Sequence, residues 1–400
     1  MSKNLKDRLL PNVLQTRELE IFLLSYFGSS GQSEPNKVMY GDSIVVEYFG
    51  KSNKRRHSEI KSIYPLKDRS NTFLDDLEEK AKEALSMNQG IAVGHDIWFN
   101  LLPVKGHFRL KDDFQISPVP DDAPQPGELY ADHPFIFEYS FPNSSNLLIR
   151  NYRKSKRENE LALLLNVFIR LGIKKMRGAM KEWVVDLSDV YGMSAKYLQI
   201  GYTFLDEDAQ QKDGMGFTVP MMDEKLNQIP PDQYYGQGHI VVGDSFGIPA
   251  NLQESFARYR VLSDKRQQDL LRASYWKMVG SNIFHISQSS AYVALVNAIE
   301  SLIPPAKPEW CCLTCRQEHK IGLTQLFHDF LETYVPGLPP KYRKELYAIR
   351  SKITHGKRLM PYDELEFFVT FNPASNESLE EYRVLSQVVQ VAMINWLYSQ

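Results

Sequence analysis

Arg350 and His355 stand five positions apart in the segment Tyr347-Ala348-Ile349-Arg350-Ser351-Lys352-Ile353-Thr354-His355-Gly356. Histidine titrates near neutral pH, so it can give or take a proton during a reaction. Arginine carries a permanent planar charge that can grip two oxygens of an anionic transition state. Together they offer a proton-transfer group and an oxyanion clamp that need no metal. On an ideal helix, five residues turn the two side chains about 140° apart. They share a face only if the chain bends, and Gly356 offers a bend. Both lie off the apolar stripe of Tyr342, Leu346, Ile349 and Ile353, so both side chains are expected to be free for chemistry. Ser351 lies between them, and Lys352, Lys357 and Arg358 flank His355 as cations suited to phosphates. The competing account of the pair is a surface arginine and a helix-capping histidine.

Two further motifs carry chemistry. Gly243-Asp244-Ser245-Phe246-Gly247 has the spacing of a serine-hydrolase nucleophile elbow, and it follows a strand-like His-Ile-Val-Val run. An elbow leads straight into a helix, however, and here Ile248-Pro249-Ala250-Asn251 follows. The upstream chain also lacks alternating strands and helices and an HGGG-type segment. A glycine-rich turn between domains is the better account of Ser245. Cys312 and Cys315 have the gap of a zinc knuckle, with His319 as a third candidate ligand. A closed structural site needs four ligands, so reduced thiols in a loop between two helices are the larger expectation. P-loop, H-E-x-x-H and G-x-G-x-x-G patterns do not occur, which leaves nucleotide hydrolysis and dinucleotide redox chemistry without a motif.

The elements that must position these residues are legible in outline. A chain of 400 residues suits two or three domains, and 21 Phe with 21 Tyr can fill a large core. The net charge of −2 argues against an overall basic coat, while leaving room for a local basic patch. The first 20 residues carry charge without an apolar stretch, so no secretory signal is expected. No run is long and apolar enough for a membrane span, and three cysteines within residues 311–315 make no disulfide framework. A soluble, cytoplasmic protein with no membrane partner is expected.

The pattern changes near residue 245. Before it, strand-like runs dominate at 43–49, 91–102, 135–141, 196–204 and 239–242, with one helix at 158–171. Residues 118–127 read as a linker by their prolines. The basic runs 51–56 and 153–157 read as solvated loops. After residue 245, helices are predicted at 251–279 with a break near Ser263-Asp264, then at 287–303, 323–334, 341–355 and 378–398. The fold class is therefore α+β: a mixed, strand-rich region over residues 1–245, in one or two lobes, followed by an all-α bundle over residues 246–400.

The RSKITHG phrase in this helical setting, with LVNAIESLI upstream and a long apolar helix at the end, resembles the HEPN superfamily. The combination is similar to its Apea-like branch, associated with bacterial anti-phage proteins, and the likeness covers roughly residues 250–400. It implies a HEPN bundle and a metal-independent endoribonuclease of a defence or toxin system, with Arg350 and His355 as catalytic residues. In that chemistry the ribose 2′-OH attacks the adjacent phosphorus and leaves a 2′,3′-cyclic phosphate, so DNA is not cut. No cofactor is required, and a structural zinc is the only metal in prospect. The resemblance also implies a homodimer in which two Arg350 and two His355 meet at a two-fold axis. Glu300 matches a polar position of the family and is expected to orient Arg350 or His355. The region before residue 245 would then sense a phage-derived trigger or regulatory partner, or select the RNA. The alternative is a non-catalytic HEPN module that binds RNA or a partner protein.

Overall fold

The computed structural model describes residues 9, 16–34, 36–48, 60–66, 70–119, 133–170, 172–175, 182–186, 196–200, 211–220, 223–236, 245–305, 308–311, 318–320, 322–364 and 373–400. The linker at 118–127 falls almost wholly outside them, as do the run at 239–242 and the basic run at 51–56. The chain is mixed α+β, strand-rich in its N-terminal region and helical towards its C-terminus. It divides into two compact units. One comprises Met1–His95, Glu138–Asn159 and Lys212–Thr218; the other comprises Asp96–Phe137, Glu160–Gln211 and Val219–Gln400. This division does not follow the change of pattern near residue 245, because strands and a helix end from upstream pack with the C-terminal helices.

In the first unit, α1 (Thr16–Phe27) precedes an antiparallel meander of β1 (Ser30–Glu34), β2 (Lys37–Tyr40), β3 (Ile44–Tyr48) and β4 (Ile60–Pro65). Then comes α2 (Asn71–Leu85), whose first turn is capped by the Ser70 hydroxyl accepting from the Phe73 N–H. Leu19, Phe22 and Leu23 of α1, Ile44 and Val46 of β3, Ile60 and Ile63 of β4 and Leu77 and Ala81 of α2 make one core.

The first turns of α3 (Leu147–Phe168) also belong here, and they correct one sequence expectation. The basic run at 153–157 is helix, and Arg153 is buried. Its guanidinium donates to Glu18 and to the backbone oxygens of Leu85, Ser86 and Asn143. Five N–H donors in a fixed fork let one arginine close the carboxyl end of α2 while neutralising a carboxylate.

The second unit holds β6 (Phe108–Leu110), β7 (Phe114–Pro118) and the matching portions of β8 (His133–Pro142) and β5 (Ile91–Asn100). With β9 (Lys174–Lys175), these strands form a sheet of order β6-β7-β8-β5-β9. Trp98, Phe114, Phe135 and Phe137 are fully buried, and Trp98 stacks on Phe137 with centroids 4.0 Å apart. Smaller pieces follow: the antiparallel pair β10 (Glu182–Asp186) and β11 (Lys196–Ile200), then β12 (Asn227–Ile229), α4 (Pro231–Gly236) and β13 (Gly247–Pro249), with β12 and β13 parallel.

The helical part comprises α5 (Leu252–Val261), α6 (Asp264–Ile283), α7 (Gln288–Glu300), α8 (Leu323–Tyr334), α9 (Pro340–Thr354), the short α10 (Pro361–Glu364) and α11 (Pro373–Tyr398). The break expected at Ser263-Asp264 separates α5 from α6, and the Gln267 amide bridges it to the oxygens of Tyr259, Arg260 and Leu262. α7 is buried nearly all round, because Ala291, Ala294 and Ala298 add a second face to Tyr292, Leu295, Val296 and Ile299. Gly280 lets α6 approach it: a Cβ there would lie 3.1 Å from the Ala291 oxygen. The α9 stripe differs from the one predicted. Tyr342 is 53% exposed, and Tyr347 takes the buried place beside Leu346 and Ile349.

The carboxyl end of α3 is enclosed by this part. Its last carbonyls each have a donor: Leu165 from the Ile169 N–H, Asn166 from Lys277 Nζ at 2.7 Å, Val167 from Gln390 Nε2 at 2.7 Å and Phe168 from Tyr235 Oη at 2.8 Å. A buried helix end left open would cost several unmade hydrogen bonds.

Candidate active site

α9 starts with Pro340 in its first turn, where a missing N–H costs nothing, and it ends in a Schellman turn. His355 is the cap residue at φ −90° and ψ 10°, and Gly356 follows at φ +66°. The Gly356 N–H bonds the Ile353 oxygen and the Lys357 N–H bonds the Lys352 oxygen. The sharp change of direction therefore comes after His355, not between it and Arg350. Gly356 redirects the downstream chain and leaves the helical angle between the pair nearly intact. His355 is exposed and its ring makes no hydrogen bond among the described residues.

Arg350 is not free, which corrects the expectation drawn from the predicted stripe. It lies one turn on from the buried Leu346 and Tyr347, and it faces the last residue of α7. Its Nη2 donates to Glu300 Oε2 at 3.1 Å, with the two side chains 20% and 16% exposed. The guanidinium also sits over the Tyr347 ring, 5.6 Å from the centroid. Burial pushes the Glu300 carboxyl above its ordinary range, while Arg350 and the Tyr347 hydroxyl pull it back. A carboxylate at a helix carboxyl end also meets an unfavourable dipole, so its cation is needed. Glu300 Oε1 and Arg350 Nε are buried without a hydrogen-bond partner. The pair holds by one contact rather than two.

The remaining predicted residues divide. Ser351 is half-buried and its backbone oxygen accepts the His355 N–H. Lys352 and Lys357 are exposed, with no ion pair among the described residues. Arg358 is held by both oxygens of Glu381 on α11, at 3.3 and 2.9 Å. Cys312 and Cys315 lie outside the described residues. Of His319 only the backbone is described, in β15 (Glu318–Lys320), which pairs antiparallel with β14 (Pro308–Cys311). Among the described residues no three His, Cys, Asp or Glu cluster as metal ligands. Ser245 precedes the buried Phe246 and the strand β13, and α5 begins only at Leu252, so it does not sit on a turn leading straight into a helix.

Sequence reasoning missed three residues. Asp363 accepts from Ser287 Oγ and from the N–H groups of Gln288 and Ser289, so it caps the start of α7. Met360 N–H adds a bond to Ser289 Oγ at 2.7 Å, which ties the segment after His355 to that helix. Tyr347 was passed over because the stripe was drawn through Tyr342. His328 packs edge-on against the Tyr347 ring at 6.5 Å. The Ser287-x-x-Ser290 start of α7 was the available signal for a cap; the partner from 75 residues away had none.

No described helix is long and apolar enough to cross a membrane. Comparison with protein-family models, with curated proteins and with solved structures finds no match.

Proposed function

We propose that the chain is a metal-independent endoribonuclease of the HEPN type, acting in a bacterial defence or toxin system. The observation that carries this reading is the end of α9. There an unencumbered, exposed His355 follows five residues after an arginine braced by Glu300, with Lys352 and Lys357 open beside it. His355 moves the proton of the 2′-OH or of the leaving 5′-oxygen. Arg350 meets the charge gathering on the phosphorane oxygens. Because their helical angle separates the two side chains in one chain, the complete site needs a second copy. Arg350 and His355 of one protomer then work with those of its partner.

The second reading, a non-catalytic HEPN module that binds RNA or a protein, draws on the commitment of Arg350 to Glu300 and of Arg358 to Glu381. One assay separates the two. Wild type, His355→Ala and Arg350→Ala are incubated with RNA in EDTA. Cleavage that persists in EDTA and is lost in both variants supports the enzyme; equal decay in all three rejects it. Light scattering in the same buffer with RNA present should give the mass of two chains.

A further inference from the structure

The proposed reaction uses Arg350 but does not say what aims it. Glu300 supplies one hydrogen bond, which leaves a guanidinium free to rotate about that contact. The neighbour that restricts it is Tyr347, one turn earlier on α9. Its ring lies beneath the guanidinium, and its hydroxyl faces Glu300. The ring is itself wedged: Phe327 of α8 packs on it at 5.0 Å and His328 meets it edge-on at 6.5 Å. Tyr347 is therefore the point where α7, α8 and α9 meet at the candidate site. Three buried polar atoms around it lack a hydrogen-bond partner among the described residues: Glu300 Oε1, Arg350 Nε and His328 Nε2. Unpaired buried polar atoms are uncommon and costly, so three of them around one ring leave Arg350 held by packing more than by hydrogen bonds.

We propose that Tyr347 is the positioning residue of the site: its ring is the platform that holds the Arg350 guanidinium against Glu300. This rests on the ribonuclease reading above. The groups facing this centre are Glu300 from α7, His328 from α8 and Arg350 from α9. Thr324 of α8 also neighbours the Tyr347 hydroxyl, and Lys344, Arg343 and Asp329 act electrostatically on His328. Burial and the neighbouring Glu300 raise the phenol's pKa, so the ring stays uncharged beneath the guanidinium.

Three variants test it in the full-length protein with a fluorescent RNA. Tyr347→Leu removes platform and hydroxyl, and kcat should fall about 2- to 30-fold, the range of a cation–π contact converted to rate. Tyr347→Phe keeps the platform. It should restore kcat to the wild-type value, because the ring beneath the guanidinium is unchanged. The third, Glu300→Gln combined with Tyr347→Phe, should match Glu300→Gln alone, because the platform is intact in both. An activity-free readout stands beside these: hydrogen exchange at Arg350 Nε, followed by NMR with Arg350→Lys as the assignment control. It should be slow in wild type and in Tyr347→Phe and fast in Tyr347→Leu. If no RNA is cut, the ribonuclease reading fails, and the Nε exchange still decides the role of Tyr347. Equal exchange, or equal kcat, in wild type and Tyr347→Leu overturns the proposal.

Discussion

Arg350 reaches Glu300 through Nη2 alone, at 3.1 Å, while its Nε and the other carboxylate oxygen have no partner. The two residues are 50 positions apart and close the carboxyl end of α7 against α9. A pair that is mostly buried but only singly bonded concentrates its interaction energy in one contact.

That coupling is measurable in a double-mutant cycle. Glu300→Ala leaves a partly buried cation unpaired and should cost about 1–3 kcal/mol in urea unfolding. Arg350→Ala should cost a similar amount. The double variant should cost clearly less than the sum, because each single change already breaks the contact. Additive losses would mean the pair has no interaction energy. The pH dependence has a definite sign. The Glu300 carboxyl is raised on folding, so its favourable contribution is complete below the unfolded value near 4.5 and is lost as pH rises through the folded value. Wild type should therefore lose stability relative to Glu300→Gln over that interval.

Lys277 gives the opposite trend at alkaline pH. Its amine is buried, and burial lowers its pKa from 10.5 to about 8. Between those values the unfolded chain binds more protons, so stability rises with pH through the window and is lost as pH falls through about 8. Measured against Lys277→Met, wild type should gain roughly 3 kcal/mol across the whole window. Data between pH 8 and 9.5 avoid tyrosine ionisation. Parallel curves for the two proteins would contradict this.

Asp363 should act as a remote cap. Asp363→Ala removes three hydrogen bonds from the start of α7 and should cost about 1–3 kcal/mol. Although burial alone would raise this carboxyl, the bonds from Ser289, Gln288 and Ser287 hold it below the ordinary range. Its contribution is present above pH 3.8 and disappears as pH falls through the folded value. Acid unfolding of Asp363→Asn should lack that component.

Arg153 should be the costliest single change in the first unit. It is buried and bonded to Glu18 and three backbone oxygens. Arg153→Met should lower stability by about 3–5 kcal/mol, and Arg153→Lys should recover only part, since an ammonium cannot match the fork. Unfolding followed by a probe in residues 16–85 would register the loss.

Legibility in the sequence followed the range of the interactions. α8 was read at Leu323–Tyr334, its full extent, and the α5–α6 break was read at Ser263, because both depend on local signals. The start of α3 was placed at Glu158 instead of Leu147, since the charges around Arg153 hid a helix whose arginine points inward. α2 was missed although Leu74, Leu77, Ala81 and Ala84 are spaced for one helical face; its many charges masked the period. At the candidate site Arg350 and His355 stand out by type and spacing, and Glu300 enters through the family resemblance. Tyr347 and Asp363 do neither, because what gives them a role is a neighbour far along the chain.

The closed end of α3 also sets an order of events during synthesis. The donors to Phe168, Asn166 and Val167 come from positions 67, 111 and 223 residues later. A chain emerging from the ribosome acquires them one at a time, with Tyr235 first, Lys277 next and Gln390 last. Until α11 has been made, the Val167 oxygen lacks its Gln390 donor. The end of α3 is thus a late-maturing joint, and the long separations predict slow closure relative to the local helices around it.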